Sequence, residues 1–330
     1  MLCKTGPNTG NVPEYYRAAF ERKGVSCRIV PVELRFNNSL IRKCNRISEH
    51  RLKNFVWNRG LLRTVKEVRP DFVFIYGSNW NVSPKTIKLL RKLGSKVILR
   101  EGNNQFWGKH QVESLPLYDW VFTQEYYPIP FLRTAGLRNL DILPGACDPS
   151  CHFPRSLTSD EKKLFAGEIV FVGTNYGQRE EFLCAASRTG ATVTVAGRGW
   201  KNADNTGGFR IFNRQISGDE RLKLYSCAKI LPIILNPENQ IEGITDRTFE
   251  SVAVGRMVLH EAKSEIRDFF KPGKHMAVFK GRKDFVKKIE YYLANDRERE
   301  DIAAEGRKHA VENHTYDHRV DQILATVLKR

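Results

Sequence analysis

Short apolar runs alternate with longer segments of helical period along the whole chain, and this alternation limits the fold more than any other feature. Phe72–Tyr76 (FVFIY) and Met257–Leu259 (MVL) have no polar side, so both faces of each run must be covered. Similar runs stand at Ser26–Pro31, Lys96–Leu99, Trp120–Thr123 and Leu140–Leu143, then at Glu168–Val172, Thr192–Ala196, Gly208–Phe212 and Lys229–Leu235. Helical spacing fills the intervals. Tyr16, Ala19 and Phe20 point inward from Pro13–Lys23, and Val320, Ile323, Leu324 and Val327 do so from Asp317–Leu328. A further helix is expected over Arg51–Val68, with Gly60 as its weak point, while Met1–Lys4 is too short to assign. Strands separated by helices pair in parallel and need cover on both faces, so the expected fold class is α/β, with two doubly wound Rossmann-like domains. The expected division is a first domain at 1–150, a polar linker at 151–166, a second domain at 167–315 and a closing helix at 316–330.

At 330 residues and 41% hydrophobic content, the chain has material for two such cores. No run approaches the roughly 18–20 apolar residues of a membrane span, and MLCKTGPNTG lacks the apolar region of a secretory signal. Seven cysteines at scattered spacings fit reduced thiols in the cytoplasm, and no pair is spaced like a zinc site. The net charge of +17 is uneven: residues 1–150 hold 24 Lys/Arg against 12 Asp/Glu, and residues 151–330 hold 30 against 25. The excess concentrates at 38–69, with nine basic and two acidic residues, among them Arg42, Lys43, Arg46, Arg51, Lys53, Arg59, Arg63 and Lys66. Such a face attracts an anionic acceptor, a membrane surface or nucleic acid, and charge sign alone leaves the three open. Because the chain carries no nucleic-acid module and its aromatics are not interleaved with the basic run, no nucleic acid is expected. The expected location is cytoplasmic, peripheral at a membrane.

In doubly wound sheets ligands bind beyond the carboxyl ends of the strands. Gly77–Asn81, Gly173–Arg179 and Gly197–Trp200 are polar turns at such ends. The richest stretch is EGITDRTFESVAVGRMVLH, Glu242 to His260. It comprises a polar loop, a helix over about Asp246–Val254 and the strand Met257–Leu259. Thr245 or Asp246 is expected to cap the helix and Gly255 to end it in the left-handed conformation, with Phe249, Val252 and Ala253 inward. A helix N-terminus with Arg247 and two carboxylates, Glu242 and Glu250, at its mouth suits a phosphorylated, hydroxyl-rich ligand. A solvated helix carrying an Arg247–Glu250 pair fits the same residues.

Glu242 and Glu250 enclose seven residues, and the stretch resembles the Glu-x7-Glu signature of GT-B glycosyltransferases. RTFESVAVG is closer still to the spore-maturation-protein-like (CgeB-like) branch, with departures at Ile244-Thr245, where many members have Phe-Gly, and at Ser251, where Ala is usual. The resemblance runs over roughly 118–328: DWVFT and LPGACDPSCHFP resemble the end of the first domain and the crossover, FVGTNYGQREEFL a phosphate-side loop, and NHTYDHRVDQIL the terminal motif. It implies two Rossmann-like domains facing across a cleft and a nucleotide-sugar donor, with uridine the most frequent base, as co-substrate rather than a cofactor. It also implies roles. Glu250 is expected on the ribose hydroxyls, Glu242 on the donor sugar, and Gly243, Ile244 and Thr245 on the diphosphate through their amides. Gly173, Thr174 and Arg179 approach the same phosphates, joined by Arg247, and the base lies against Arg210–Asn213, Phe212 and Asn213 included.

Arg179 and Arg247 supply charge-assisted donors, and no Asp-x-Asp pair occurs in the chain, so a reaction without metal is expected. The resemblance implies transfer of a hexose-like sugar to a hydroxyl acceptor, with retention more usual for this loop. Glu101, which closes the strand Lys96–Arg100, is the candidate catalytic group of the first domain, with His110 next; a surface carboxylate paired with Arg100 or Lys109 fits Glu101 equally. His314 is read as structural. Two other readings stay open here: a nucleotide-sugar epimerase on the same fold, and a non-catalytic, basic nucleic-acid-binding protein.

Overall fold

The computed structural model describes residues 2–4, 11–31, 46–77, 82–102, 109–201, 203, 208–236 and 241–328, with backbone alone at 2–4, 31, 46–53 and 109–111. The first unit opens with β1 (Leu2–Lys4), α1 (Val12–Arg22), β2 (Ile29–Pro31) and α2 (Arg46–Val68). It continues through β3 (Phe72–Gly77), α3 (Pro84–Lys92), β4 (Lys96–Glu101), α4 (Lys109–Ser114), β5 (Trp120–Thr123), α5 (Ile129–Thr134) and β6 (Leu140–Ile142). All its strand pairs are parallel, in the order β2-β1-β3-β4-β5-β6. β3 is buried on both faces from Phe72 to Tyr76, as its lack of a polar side requires. Ser83 caps α3 by accepting the Thr86 amide at 3.1 Å, and Pro84 starts the helix without a missing donor.

The second unit holds α6 (Ser159–Leu164), β7 (Ile169–Val172), α7 (Arg179–Ser187), β8 (Val193–Ala196), β9 (Arg210–Phe212), α8 (Gly218–Cys227) and β10 (Ile230–Ile233). It then runs through α9 (Asp246–Ala253), β11 (Met257–Glu261), α10 (Ile266–Phe269), β12 (Ala277–Phe279), α11 (Gly281–Ala294) and α12 (Asp296–Asn313). Its six strands are also all parallel, in the order β12-β11-β10-β7-β8-β9. One core lies between this sheet and its helices, built on Phe171, Trp200, Phe182, Phe279 and Phe285. The last helix, α13 (Tyr316–Leu328), returns to the first unit.

The chain divides into residues 1–144 with 316–330, and 145–315. Several expectations are corrected here. The closing helix does not stand apart: Tyr316 packs on Tyr16 (ring centroids 5.0 Å), and Asp317 and Asp321 pair with Arg22 and Lys23 at 2.9 and 2.7 Å. Residues 151–166 are not a free linker. Thr158 and Glu161 form a reciprocal capping box that starts α6, and the Lys163 and Leu164 carbonyls each accept from Arg210 at 2.9 Å. Met1–Lys4, too short to assign from sequence, contains an interior strand, because parallel partners on both sides hold three residues that no local propensity would. Gly60 does not break α2, which runs through it. No described helix is long and apolar enough to cross a membrane. The described cysteines Cys27, Cys147, Cys151, Cys184 and Cys227 form no disulfide with one another.

Candidate functional site

From β7 the chain first adds β8 and β9 on one side, then returns to add β10 on the other. The carboxyl ends of β7 and β10 are therefore the switch point, the place where open α/β sheets take ligands. Two guanidinium groups converge there. Arg179, the first residue of α7 and 6% exposed, donates from Nε to the Ile234 carbonyl just past β10 (3.0 Å) and from Nη1 to the Thr174 carbonyl just past β7 (2.8 Å). Arg247, in the first turn of α9, donates from Nη1 to the Val172 carbonyl at the end of β7 (2.7 Å). Tyr176 lies over the Arg179 guanidinium at 4.0 Å and Phe171 at 5.2 Å. Burial pulls Arg179 below its ordinary pKa, and the neighbouring Arg247 cation adds to this. Two cations held this close repel, and an anion shared by their remaining N–H groups relieves both.

Glycines make room for this arrangement. A Cβ on Gly173 would lie 3.0 Å from Arg247 Nη1, and one on Gly197 would lie 2.1 Å from the Gly173 carbonyl oxygen. Gly197 also has φ +144, a conformation L side chains avoid. Trp200, fully buried, donates its indole N–H to the Gly173 carbonyl at 2.7 Å and fixes the loop after β7 from below. Asn175 ties the same loop to Arg198 (2.8 Å) and Glu180 (2.6 Å).

The two glutamates of the 242–260 stretch fall in different surroundings. Glu242, half-buried on the loop before α9, accepts from the Ser264 hydroxyl at 2.6 Å and the Ser264 amide at 3.3 Å, and the hydroxyl bond holds its carboxyl below the ordinary range. Gly243 and Ile244 are buried, and Thr245 is half-buried. Thr245 is the N-cap residue of α9, but its side chain makes no cap bond, which corrects that expectation. Glu250 is 5% exposed, with Oε2 2.9 Å from Arg221 Nη2 of α8 and Oε1 3.7 Å from His152 Nε2. Its ion-pair partner is Arg221 rather than Arg247. Burial pushes the Glu250 carboxyl up, but Arg221, His152 and Arg247 together outweigh it and hold the group ionised. His152 Nδ1 accepts the Asp148 amide at 2.9 Å, so the neutral ring carries its proton on Nε2, facing Glu250. Burial lowers the pKa of His152, which stays neutral near pH 7.

Behind α9, Thr248 Oγ1 lies 3.0 Å from His260 Nε2, while His260 Nδ1 donates to the Glu261 carbonyl at 2.6 Å. Burial takes His260 down to about 4, so its neutral ring accepts the Thr248 hydroxyl proton. Gly255 has φ +74, as a left-handed helix end requires, and Phe249, Val252 and Ala253 are buried as expected. Phe212 ends β9 half-buried against Phe165 (5.9 Å), its carbonyl taken by the Gly197 amide at 3.0 Å, and Asn213 is exposed. Glu101, in the first unit, is not a surface carboxylate: it is 0% exposed at the end of β4 and its Oε1 accepts the Gly102 amide at 3.2 Å. The His110 side chain lies outside the described residues.

Sequence reasoning missed Arg221, His152, Trp200 and Ser264. Arg221 sits in GDERLKLYSC among other charges, and no local pattern separates it from a solvated arginine. Trp200 was within reach, as an apolar residue closing the polar turn that follows β8. Among the described residues no group of three or more His, Cys, Asp or Glu side chains is placed to hold a metal ion.

A model of the glycosyl transferase-like family matches residues 178–325, which contain α7, β10 and α9. No curated protein matches the chain by sequence. Among solved structures, a glycosyltransferase from Rickettsia africae has a TM-score of 0.73 at 12% identity, covering 100% of this chain and 98% of that one. The sucrose-phosphate synthase of Thermosynechococcus elongatus has a TM-score of 0.71 at 13% identity over 98% and 96%. The chain thus has the GT-B-like fold. Anabaena HepE, solved with UDP and glucose, shares this fold with a TM-score of 0.68 at 10% identity over 99% and 98%.

Proposed function

We propose that the protein is a glycosyltransferase of the CgeB-like branch that moves a hexose from a nucleoside diphosphate donor, UDP-hexose by preference, to a hydroxyl acceptor with retention. The observation that carries this reading is the convergence of Arg179 and Arg247 at the β7/β10 switch point, beside the N-terminus of α9. Two guanidinium groups and a helix N-terminus match the charge of a diphosphate without a metal ion. Glu250, held ionised by Arg221, is assigned to the ribose hydroxyls, and Glu242, on the open loop, to the sugar. Gly173, Thr174, Gly243, Ile244 and Thr245 line the diphosphate, and Phe212 and Asn213 the base. The glycosyl transferase-like match over 178–325 supports sugar transfer, and the neighbours solved with UDP or UDP-glucose support the donor class.

Glu101 is assigned as the catalytic group of the first unit. The exposed cations Arg59, Arg63 and Lys66 on α2 are assigned, in a cytoplasmic protein peripheral at a membrane, to an anionic acceptor or membrane surface. Arg69 is exposed just past α2, and the side chains of Arg42, Lys43, Arg46, Arg51 and Lys53 fall outside the described residues.

The experiment is calorimetric titration with UDP, UDP-glucose and ADP, with and without a chelator. UDP and UDP-glucose are expected to bind with the chelator present, and Arg247→Ala to abolish binding in a folded protein. Binding that needs added manganese would overturn the phosphate assignment. Unchanged UDP affinity in Arg247→Ala would overturn the site.

A further inference from the structure

A second recess lies at the other edge of the second sheet, where β7, β8 and β10 begin. Its volume is about 640 Å³, within the range of small-molecule sites. Four cations line it, Arg155, Lys162, Lys229 and Arg256, and Glu168 is the single carboxylate of the lining.

The charges do not cancel. Lys229 pairs with Glu168 at 3.0 Å, and Arg155 pairs with Asp219 at 2.7 Å. Glu161, next to Lys162 in sequence, is taken by Lys223 at 2.8 Å and by the capping box of α6. Arg256 donates Nη2 to the Ser226 carbonyl at 2.7 Å, which covers the negative end of α8 without neutralising the guanidinium. Lys162 has no ion-pair partner among the described residues. Lys162 and Arg256 are therefore two cations in one recess without an ion-pair partner among the described residues, and both act on the same neighbour, the Cys227 thiol. Burial pushes that thiol up, so Cys227 stays protonated and offers no competing anion.

We propose that this recess is a second ligand site, separate from the β7/β10 switch point, that takes the dianionic phosphate of a small phosphomonoester between Lys162 and Arg256. The two charges equal those of a phosphomonoester, and the volume beyond them leaves room for a sugar or nucleoside carried by the phosphate. Nothing in this inference depends on the switch point binding a nucleotide sugar.

The test is calorimetric titration of the full chain with ribose 5-phosphate, with ribose as the neutral control. Ribose 5-phosphate is expected to bind at one site in the wild type and in Arg247→Ala. Its affinity is expected to fall about tenfold or more in Lys162→Glu, whose exposed position leaves the fold intact, and less in Lys162→Gln. Binding should weaken with salt, and ribose should give no heat. An affinity unchanged in Lys162→Glu, loss of binding in Arg247→Ala alone, or no binding at millimolar ribose 5-phosphate would each overturn the proposal.

Discussion

Glu242 sits on the open loop before α9 and is held by one serine, whereas Glu250 is sealed against α8 and held by a guanidinium and an imidazole. Both belong to one sequence motif and both carboxyls stay below their ordinary pKa. The leading causes differ: a hydrogen bond at Glu242, and burial opposed by neighbouring charge at Glu250. At Glu242 the Ser264 hydroxyl and amide, with Lys263 nearby, suffice, because water shares the remaining solvation. Glu250 has lost that solvation and stays ionised only because compensating charge is built around it. A partly open carboxylate is adjustable, and a buried one is committed to its partners. Under the proposed function, the outer glutamate follows a variable sugar and the inner one presents a fixed acceptor.

The largest test of this contrast is Arg221→Met. It leaves a buried carboxylate without its cation and should cost about 3–5 kcal/mol of folding stability, read by urea unfolding. Arg221→Met combined with Glu250→Gln should regain much of that loss. A single variant as stable as the wild type would mean that Glu250 is not committed to Arg221.

The inner wall should also respond to acid. The neutral ring of His260 stabilises the fold fully above its unfolded pKa near 6.5, and this is lost as pH falls from there to about 4. The loss is on the order of 3 kcal/mol, with no further contribution below the folded value. Urea unfolding at pH 7, 5 and 4 should show a shallower pH dependence for His260→Gln than for the wild type. Equal slopes would remove His260 from the account.

A smaller effect separates the two glutamates by ligand. Glu250→Gln should weaken UDP by about 1–2 kcal/mol, since a carboxylate accepts hydroxyls more strongly than an amide. Glu242→Gln should spare UDP and weaken UDP-glucose. Calorimetry that finds UDP equally affected in both variants would erase the distinction between inner and outer roles. The smallest change is Ser264→Ala, expected to move the Glu242 carboxyl up towards its ordinary range in an NMR titration, with folding stability altered by less than about 0.5 kcal/mol.

Much of this was legible in the chain. The uninterrupted apolar runs gave the parallel strands, the turns after them gave the loops at the carboxyl ends of those strands, and Gly255 marked the end of α9 because only one residue type adopts that conformation without strain. The Thr158-x-x-Glu161 spacing is equally readable as a helix start, within a stretch whose polar composition reads as a linker. Arg221 and His152 were not readable. They come to Glu250 from α8 and from the chain before α6, far away in sequence, and each looks locally like any other polar residue.

The sequence by itself determined the periodicity, the fold class and the division into two sheets. These follow from local spacing and side-chain chemistry, which need no knowledge of distant neighbours. Only the tertiary structure decided that Leu2–Lys4 is an interior strand, that α13 belongs to the first unit, and that Arg179 reaches across the switch point to Ile234. It also decided which glutamate is buried and which cation keeps it charged. Burial and ion pairing depend on which elements pack together, and that choice is made by the whole fold.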